Sequence, residues 1–203
     1  MNGNSRPDFL NIELDRDLLS MPFRIQTKWC VITGAPCSGK TTLIKMLANA
    51  GFQTVPEAGR KFFENELSKG HTITEIREDQ AAFTRQVYDI MLDHENRLQP
   101  TELNFLDRAL PDGCAFYRLA GLNPNAILED CFQHRYASVF VLKRLPYQKD
   151  EVRLADNKTA AYLESWTLRD YSALGYKVNM VPVLTPKRRF EFILDRLTDQ
   201  GQI

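Results

Sequence analysis

No stretch of this 203-residue sequence approaches the roughly 20 consecutive apolar residues that a membrane-crossing helix requires, so no membrane span is expected. Charge of one sign is not in excess either: Lys and Arg number 26, and so do Asp and Glu. With no net field to draw the chain to nucleic acid or anionic lipid, nucleic acid is not an expected partner, and any phosphate-binding site must be local. The N-terminus, MNGNSRPDFLNIELDRD, lacks the basic-then-apolar order of a signal peptide and the Arg-rich pattern of a transit peptide, which points to a cytoplasmic protein. Cysteine is sparse, and Cys30, Cys37, Cys114 and Cys131 form no C-x-x-C pair. Reduced thiols fit that spacing better than a disulfide framework or a metal site. Internal repeats and low-complexity linkers are missing too.

What is present is an alternation of short apolar runs with longer helical patterns, in a chain of about one domain's length. Residues 1–27 read as an N-terminal extension with a short amphipathic piece around IELDRDLLS, and residues 28–203 as the domain. Candidate strands are WCVIT (29–33), FQTVP (52–56), LNFLD (103–107), YASVFVLK (136–143) and KVNMVPV (177–183). Helical patterns occupy 40–50, 57–68, 74–98, 113–134, 158–174 and 186–198. Thr185 followed by Pro186 is a helix start, and Gly175 a helix stop. Strands that alternate with helices imply right-handed crossovers and a parallel sheet covered on both faces, with ligands at the carboxyl ends of the strands.

The segment WCVITGAPCSGKTTLIKML carries the strongest signal. Gly34, Ala35, Pro36, Cys37, Ser38, Gly39, Lys40 and Thr41 fit G-x-x-x-x-G-K-[ST] without a gap, after an apolar strand and before an apolar-periodic helix. The glycines let backbone N–H groups turn inward around phosphates, and the helix N-terminus adds partial positive charge. Lys40 would reach the outer phosphates, Thr41 would ligate Mg²⁺, and Thr42 completes the nucleotide-binding set. Cys37 serves as a spacer within the loop.

Two acids stand at strand ends. Asp107 closes LNFLD and suits the Mg²⁺ shell, while Arg108 beside it could reach phosphate or substrate oxygens, or form a surface ion pair. Glu57, in VPEAGR, closes the second strand, with Arg60 one helical turn on. An acid at a helix start is also favoured by the helix dipole alone.

Taken in order, TGAPCSGKTTLIKML, VPEAGR, FLDRALPD, KDEVR and LGYKVNMVPVLTPKRRFEFIL resemble the AAA-domain group of small P-loop ATPases that includes the ribosylnicotinamide kinase domain of bacterial NAD-biosynthesis regulators. More broadly they are similar to P-loop kinases of nucleosides. The resemblance covers residues 28–198 and implies a three-layer α/β P-loop NTPase fold with a parallel five-stranded sheet in the order 2-3-1-4-5. It implies catalytic roles for Lys40, Glu57, Asp107 and Arg153, with Glu57 as the base facing the acceptor hydroxyl and Glu57, Arg60 and Arg108 at the substrate. Where the nucleoside kinases carry Glu-Arg-Ser on the third strand, this chain has Asp107-Arg108-Ala109. KRLPYQKDEVRLADNK lies where such kinases carry a mobile lid, with Asp150, Arg153 and, more weakly, Arg144 as its functional side chains; a solvated charged loop is the alternative.

The implied activity is ATP- and Mg²⁺-dependent phosphorylation of a hydroxyl on a small metabolite, a nucleoside among the choices. A nucleotide-binding switch or slow NTPase that engages a protein or lipid partner is the alternative. Asn157-Lys158 faintly resembles a guanine-reading pattern, but Ala160 stands where that pattern needs an acid, so it does not support GTP preference; GTP stays open as a donor beside ATP. Gln80, Phe83, Arg85 and Tyr88 could line a substrate wall, although amphipathic packing accounts for their spacing. His71, His94 and His134 are scattered and carry no role.

Overall fold

A computed structural model describes residues 10–145 and 157–203 of the chain. In chain order the strands are β1 (Ile25–Gln26), β2 (Cys30–Thr33), β3 (Gln53–Val55), β4 (Asn104–Asp107), β5 (His134–Arg135), β6 (Ser138–Leu142) and β7 (Val178–Val181). The α-helices among the described residues are α1 (Lys40–Asn49), α2 (Ala58–Ser68), α3 (Ile73–Glu78), α4 (Gln80–Arg97), α5 (Leu110–Leu119), α6 (Asn157–Ala173) and α7 (Pro186–Asp199).

The main sheet is parallel throughout and runs β3-β4-β2-β6-β7. Counted over its own five strands this is the expected 2-3-1-4-5; β1 and β5, which the sequence did not single out, pair separately as a two-stranded sheet. Every residue of β2, β4 and β6 is buried, as parallel strands covered on both faces should be. Alternate side chains part to the two faces. Val31, Leu106, Val139 and Val141 join Leu110 of α5 and Tyr171 of α6 in one core. Cys30, Ile32, Phe105 and Phe140 join Leu43 and Leu47 of α1 and Ile193 and Leu197 of α7 in the other. Ile32 pairs with Asp107, and Thr33 with Val141, so the carboxyl ends of the central strands finish level with one another.

Three expected elements change where polar side chains claim backbone groups. The pattern at 74–98 is two helices, because Asp79 leaves the helical conformation (φ −106°, ψ 90°) and its side chain caps the Ala82 N–H. The pattern at 113–134 contains α5, which already starts at Leu110, then Gly121 at φ +76° and two 3₁₀ turns, Pro124–Ile127 and Asp130–Phe132. The piece around IELDRDLLS is a single 3₁₀ turn, Leu18–Ser20. Residues 10–27 lie along the domain: Leu14 is buried, Phe23 packs at a tilt against Phe132, and Ile25 N–H donates to the Gln133 carbonyl. Among the described residues no helix is long and apolar enough to cross a membrane.

One buried ion pair ties α5 to α6. Arg118 donates to both oxygens of Asp170, at 2.7 and 2.9 Å, and its guanidinium lies 3.9 Å from the Trp166 ring centroid. Asp170→Ala strands that cation inside the protein, so urea unfolding should show a loss of about 3–5 kcal/mol.

Candidate active site

β2 ends at Thr33, and the chain turns through Gly34 (φ +136°), Cys37 (φ +62°) and Gly39 (φ +94°) before α1 begins at Lys40. Cys37, exposed, is a non-glycine residue in the left-handed region, a strain that proteins retain mainly at ligand-gripping turns. Lys40 Nζ donates to the Gly34 and Ala35 carbonyls, each at 3.1 Å, which curls the loop around its own ammonium. Burial, with Arg108 adding to it, pulls the Lys40 amine down to about 8.

The loop is braced from behind. Arg189 of α7 is buried and has no carboxylate partner among the described residues; it donates to the backbone carbonyls of Ser38 in the loop, of Lys143 just after β6 (3.0 Å) and of Pro182 just after β7 (3.0 Å).

Above the loop opens a cavity of about 800 Å³. Pro36 to Thr42 line it, as do Glu57, Arg60 and Arg108. Phe63 of α2, Phe83, Val87 and Met91 of α4, and Phe116 of α5 add an apolar wall. Of the four wall candidates, Phe83 and Tyr88 line the cavity and Gln80 and Arg85 do not; the Tyr88 hydroxyl turns away to the Ile127 carbonyl. Arg144, the weakest lid candidate, pairs with Glu164 of α6 at 3.2 Å. Asp150 and Arg153 lie outside the described residues.

Glu57 stands at the N-cap of α2, immediately after β3, and its Oε1 accepts from Arg108 Nε at 3.0 Å. Burial alone would raise its carboxyl, but Arg108, Lys40 and Arg60 together outweigh burial and hold it below the usual glutamate range. It is therefore ionised at neutral pH. Arg108 is not a surface pair. It is buried, has φ +71°, and donates its backbone N–H to the Ile32 carbonyl and its Nη1 to Asp112 Oδ1 at 3.1 Å.

Asp107 is buried off the cavity wall, and its Oδ1 has no hydrogen-bond partner. Burial outweighs the opposing pull of Lys40 and pushes its carboxyl up to about 6. The Ser38 hydroxyl, in the loop, is buried and unpartnered as well. Two orphaned polar oxygens beside a phosphate-type loop fit a magnesium–triphosphate group. Among the described residues there is no cluster of three or more His, Cys, Asp or Glu to hold a metal alone. Thr41 and Asp107 would thus supply the protein's share of a Mg²⁺ shell, with phosphate and water oxygens completing it, as this ion commonly requires.

The residue that sequence reasoning missed is Asp112. Its signal was present: an acid at the third position of a helix with proline in its first turn, four residues after Arg108.

Residues 29–189 match the profile of a family described as AAA domain. In structure the chain is similar to NadR protein in complex with NR, with a TM-score of 0.63 and 16% identity over 87% of this chain and 51% of that one. It is similar to deoxyadenosine kinase from M. mycoides with bound dATP (TM-score 0.57, 13% identity, 84% and 98% of the two chains). A third likeness is to thymidylate kinase from Candida albicans (TM-score 0.54, 14% identity, 87% and 93%). The chain spans about half the length of the NadR protein. No curated protein matches it by sequence. These likenesses establish the P-loop kinase fold.

Proposed function

Because the chain belongs to the AAA domain family and folds as small P-loop kinases do, we propose that it is an ATP- and Mg²⁺-dependent phosphotransferase acting on a hydroxyl group of a small metabolite. The observation that carries this reading is the shared cavity of about 800 Å³, in which the phosphate loop, an ionised carboxylate and an apolar wall meet. A nucleoside heads the candidate acceptors, since a deoxyadenosine kinase is among the structural neighbours, and GTP is the other donor to try.

In this reading the amides of the loop from Gly34 to Thr42 grip the triphosphate, and Lys40 supplies charge at its outer phosphates. Mg²⁺, when bound through Thr41 and Asp107, neutralises charge on the phosphate oxygens. Glu57 accepts a hydrogen bond from the acceptor hydroxyl, orients that oxygen, and takes its proton as the new O–P bond forms and the bond from the γ-phosphorus to the bridging oxygen breaks, which leaves ADP. A carboxylate held low is a firm hydrogen-bond acceptor and a weak base, which suits a loose transition state in which the proton leaves late. Arg60, exposed on the cavity wall, steadies a polar or anionic group of the acceptor, and the apolar wall receives its body.

The test is ATP consumption measured against a panel of nucleosides and other hydroxylated metabolites. ADP release that depends on one acceptor class, with the phosphate found on its hydroxyl, is the expected result; release that no metabolite accelerates overturns the reading. Exposed Leu67, Ile73 and Leu145, all lining this cavity, favour a second reading, a switch or slow NTPase that engages a protein or lipid partner. Hydrolysis accelerated by liposomes or a protein, and by no metabolite, decides for that one.

The Lys40 amine gives a pH prediction. Polyphosphate binds the charged amine, and the free protein loses that charge as pH rises through about 8. ATP affinity should therefore hold below pH 8 and fall above it, by up to about tenfold per unit. Calorimetric titration across this range checks it, and a flat profile would remove the amine's charge from the binding site.

A further inference from the structure

Asp112 carries more hydrogen bonds than capping a helix requires. It is fully buried. Its Oδ1 accepts from the Thr33 hydroxyl and from Arg108 Nη1 at 3.1 Å, and its Oδ2 accepts from the Ala109 N–H at 3.1 Å and the Tyr171 hydroxyl at 2.8 Å. These donors come from the end of β2, the turn after β4, and α6. Both carboxylate oxygens are used, and each meets only donors, an arrangement that an amide in the same place cannot satisfy. Arg108, held on this side by Asp112 and through its backbone by Ile32, extends Nε to Glu57 Oε1 at 3.0 Å. The Glu57 carboxylate, half-buried on the cavity wall, is thus tied through one guanidinium to a carboxylate that three further groups hold rigid.

We propose that Asp112 is a positioning residue for phosphoryl transfer: through Arg108 it fixes the Glu57 carboxylate at the cavity, and Thr33 and Tyr171 orient Asp112 in turn. The inference rests on the reading of Glu57 given above. It extends the working site to α6, whose Tyr171 lies in the core and lines no part of the cavity.

Two variants of the full chain test it, Asp112→Asn and the gentler Tyr171→Phe, which keeps the fold if the first loses it. With Mg·ATP and water as acceptor, Asp112→Asn should lower turnover by roughly tenfold to a hundredfold, and Tyr171→Phe by less, while affinity for a non-hydrolysable ATP analogue stays within about threefold of the parent. Because Asp112 acts through Glu57, adding Asp112→Asn to Glu57→Gln should cost nothing further. An equal loss on both backgrounds, or a loss of analogue affinity greater than tenfold in both single variants, would reduce Asp112 to a fold residue and overturn the proposal. A second readout is independent of turnover: the Glu57 side-chain carboxyl ¹³C resonance, identified by its absence in Glu57→Gln, should be displaced at pH 7 in both variants. An unmoved resonance overturns the positioning role. A displaced resonance in a protein whose turnover ignores Glu57→Gln keeps that role and removes the catalytic reading of Glu57.

Discussion

Glu57→Gln should leave ATP bound as tightly as before and slow phosphoryl transfer by about 10²–10⁴-fold, the usual worth of a positioned proton acceptor. The exchange preserves size and still offers Arg108 an oxygen, so the ion pair on the cavity wall becomes an ordinary hydrogen bond. Glu57 belongs to the turn after β3 and is not part of the phosphate loop, so the amides and Lys40 that would hold the nucleotide keep their places. What disappears is the group able to take the proton. The measurements are turnover with the acceptor found in the panel and calorimetric binding of a non-hydrolysable analogue. Unchanged turnover would strike Glu57 from the mechanism.

A second large effect is expected at Gly34. A Cβ placed there would lie 2.7 Å from the Leu142 carbonyl oxygen and 3.2 Å from the Leu142 nitrogen. Both obstacles are backbone of β6, which is pinned between β2 and β7, so the loop has to move. Gly34→Ala should lower stability by about 1–3 kcal/mol for overpacking and a further 1–3 kcal/mol or so for a side chain forced to φ +136°. Nucleotide binding should weaken beyond detection, because the first amide of the cradle sits on the residue that shifts. Gly51→Ala supplies the contrast. Gly51 also has a positive φ, +92°, but nothing lies within 4 Å of its Cβ position. It should therefore carry only local strain and keep nucleotide affinity, as thermal unfolding and analogue binding would report.

The difference between those two glycines also marks what the sequence could and could not convey. The phosphate loop was legible because its parts are contiguous: a strand, a turn and a helix start fit within WCVITGAPCSGKTTLIKML. The sheet was legible because buried parallel strands read as apolar runs between helical patterns, and the known crossover hand leaves few orders open. Glu57 and Arg108 were each visible as strand-end charges, but their contact spans 51 positions, and nothing local announces it. Asp112 looks like an ordinary helix-start acid until Tyr171, 59 positions away, is seen to donate to it. Asp79 was hidden for the opposite reason. Its effect is entirely local, but a side chain that caps a new helix within an unbroken amphipathic pattern competes with that pattern at nearly equal energy.

The bracing of the phosphate loop by Arg189 has a consequence for how the protein comes into being. A polypeptide released as far as Val183 already contains every residue of the loop and every strand of the main sheet, yet lacks the guanidinium that ties Ser38 to the ends of β6 and β7. Until α7 has emerged and docked, the loop of a nascent chain lacks that brace and should hold a nucleotide more weakly than the folded domain does.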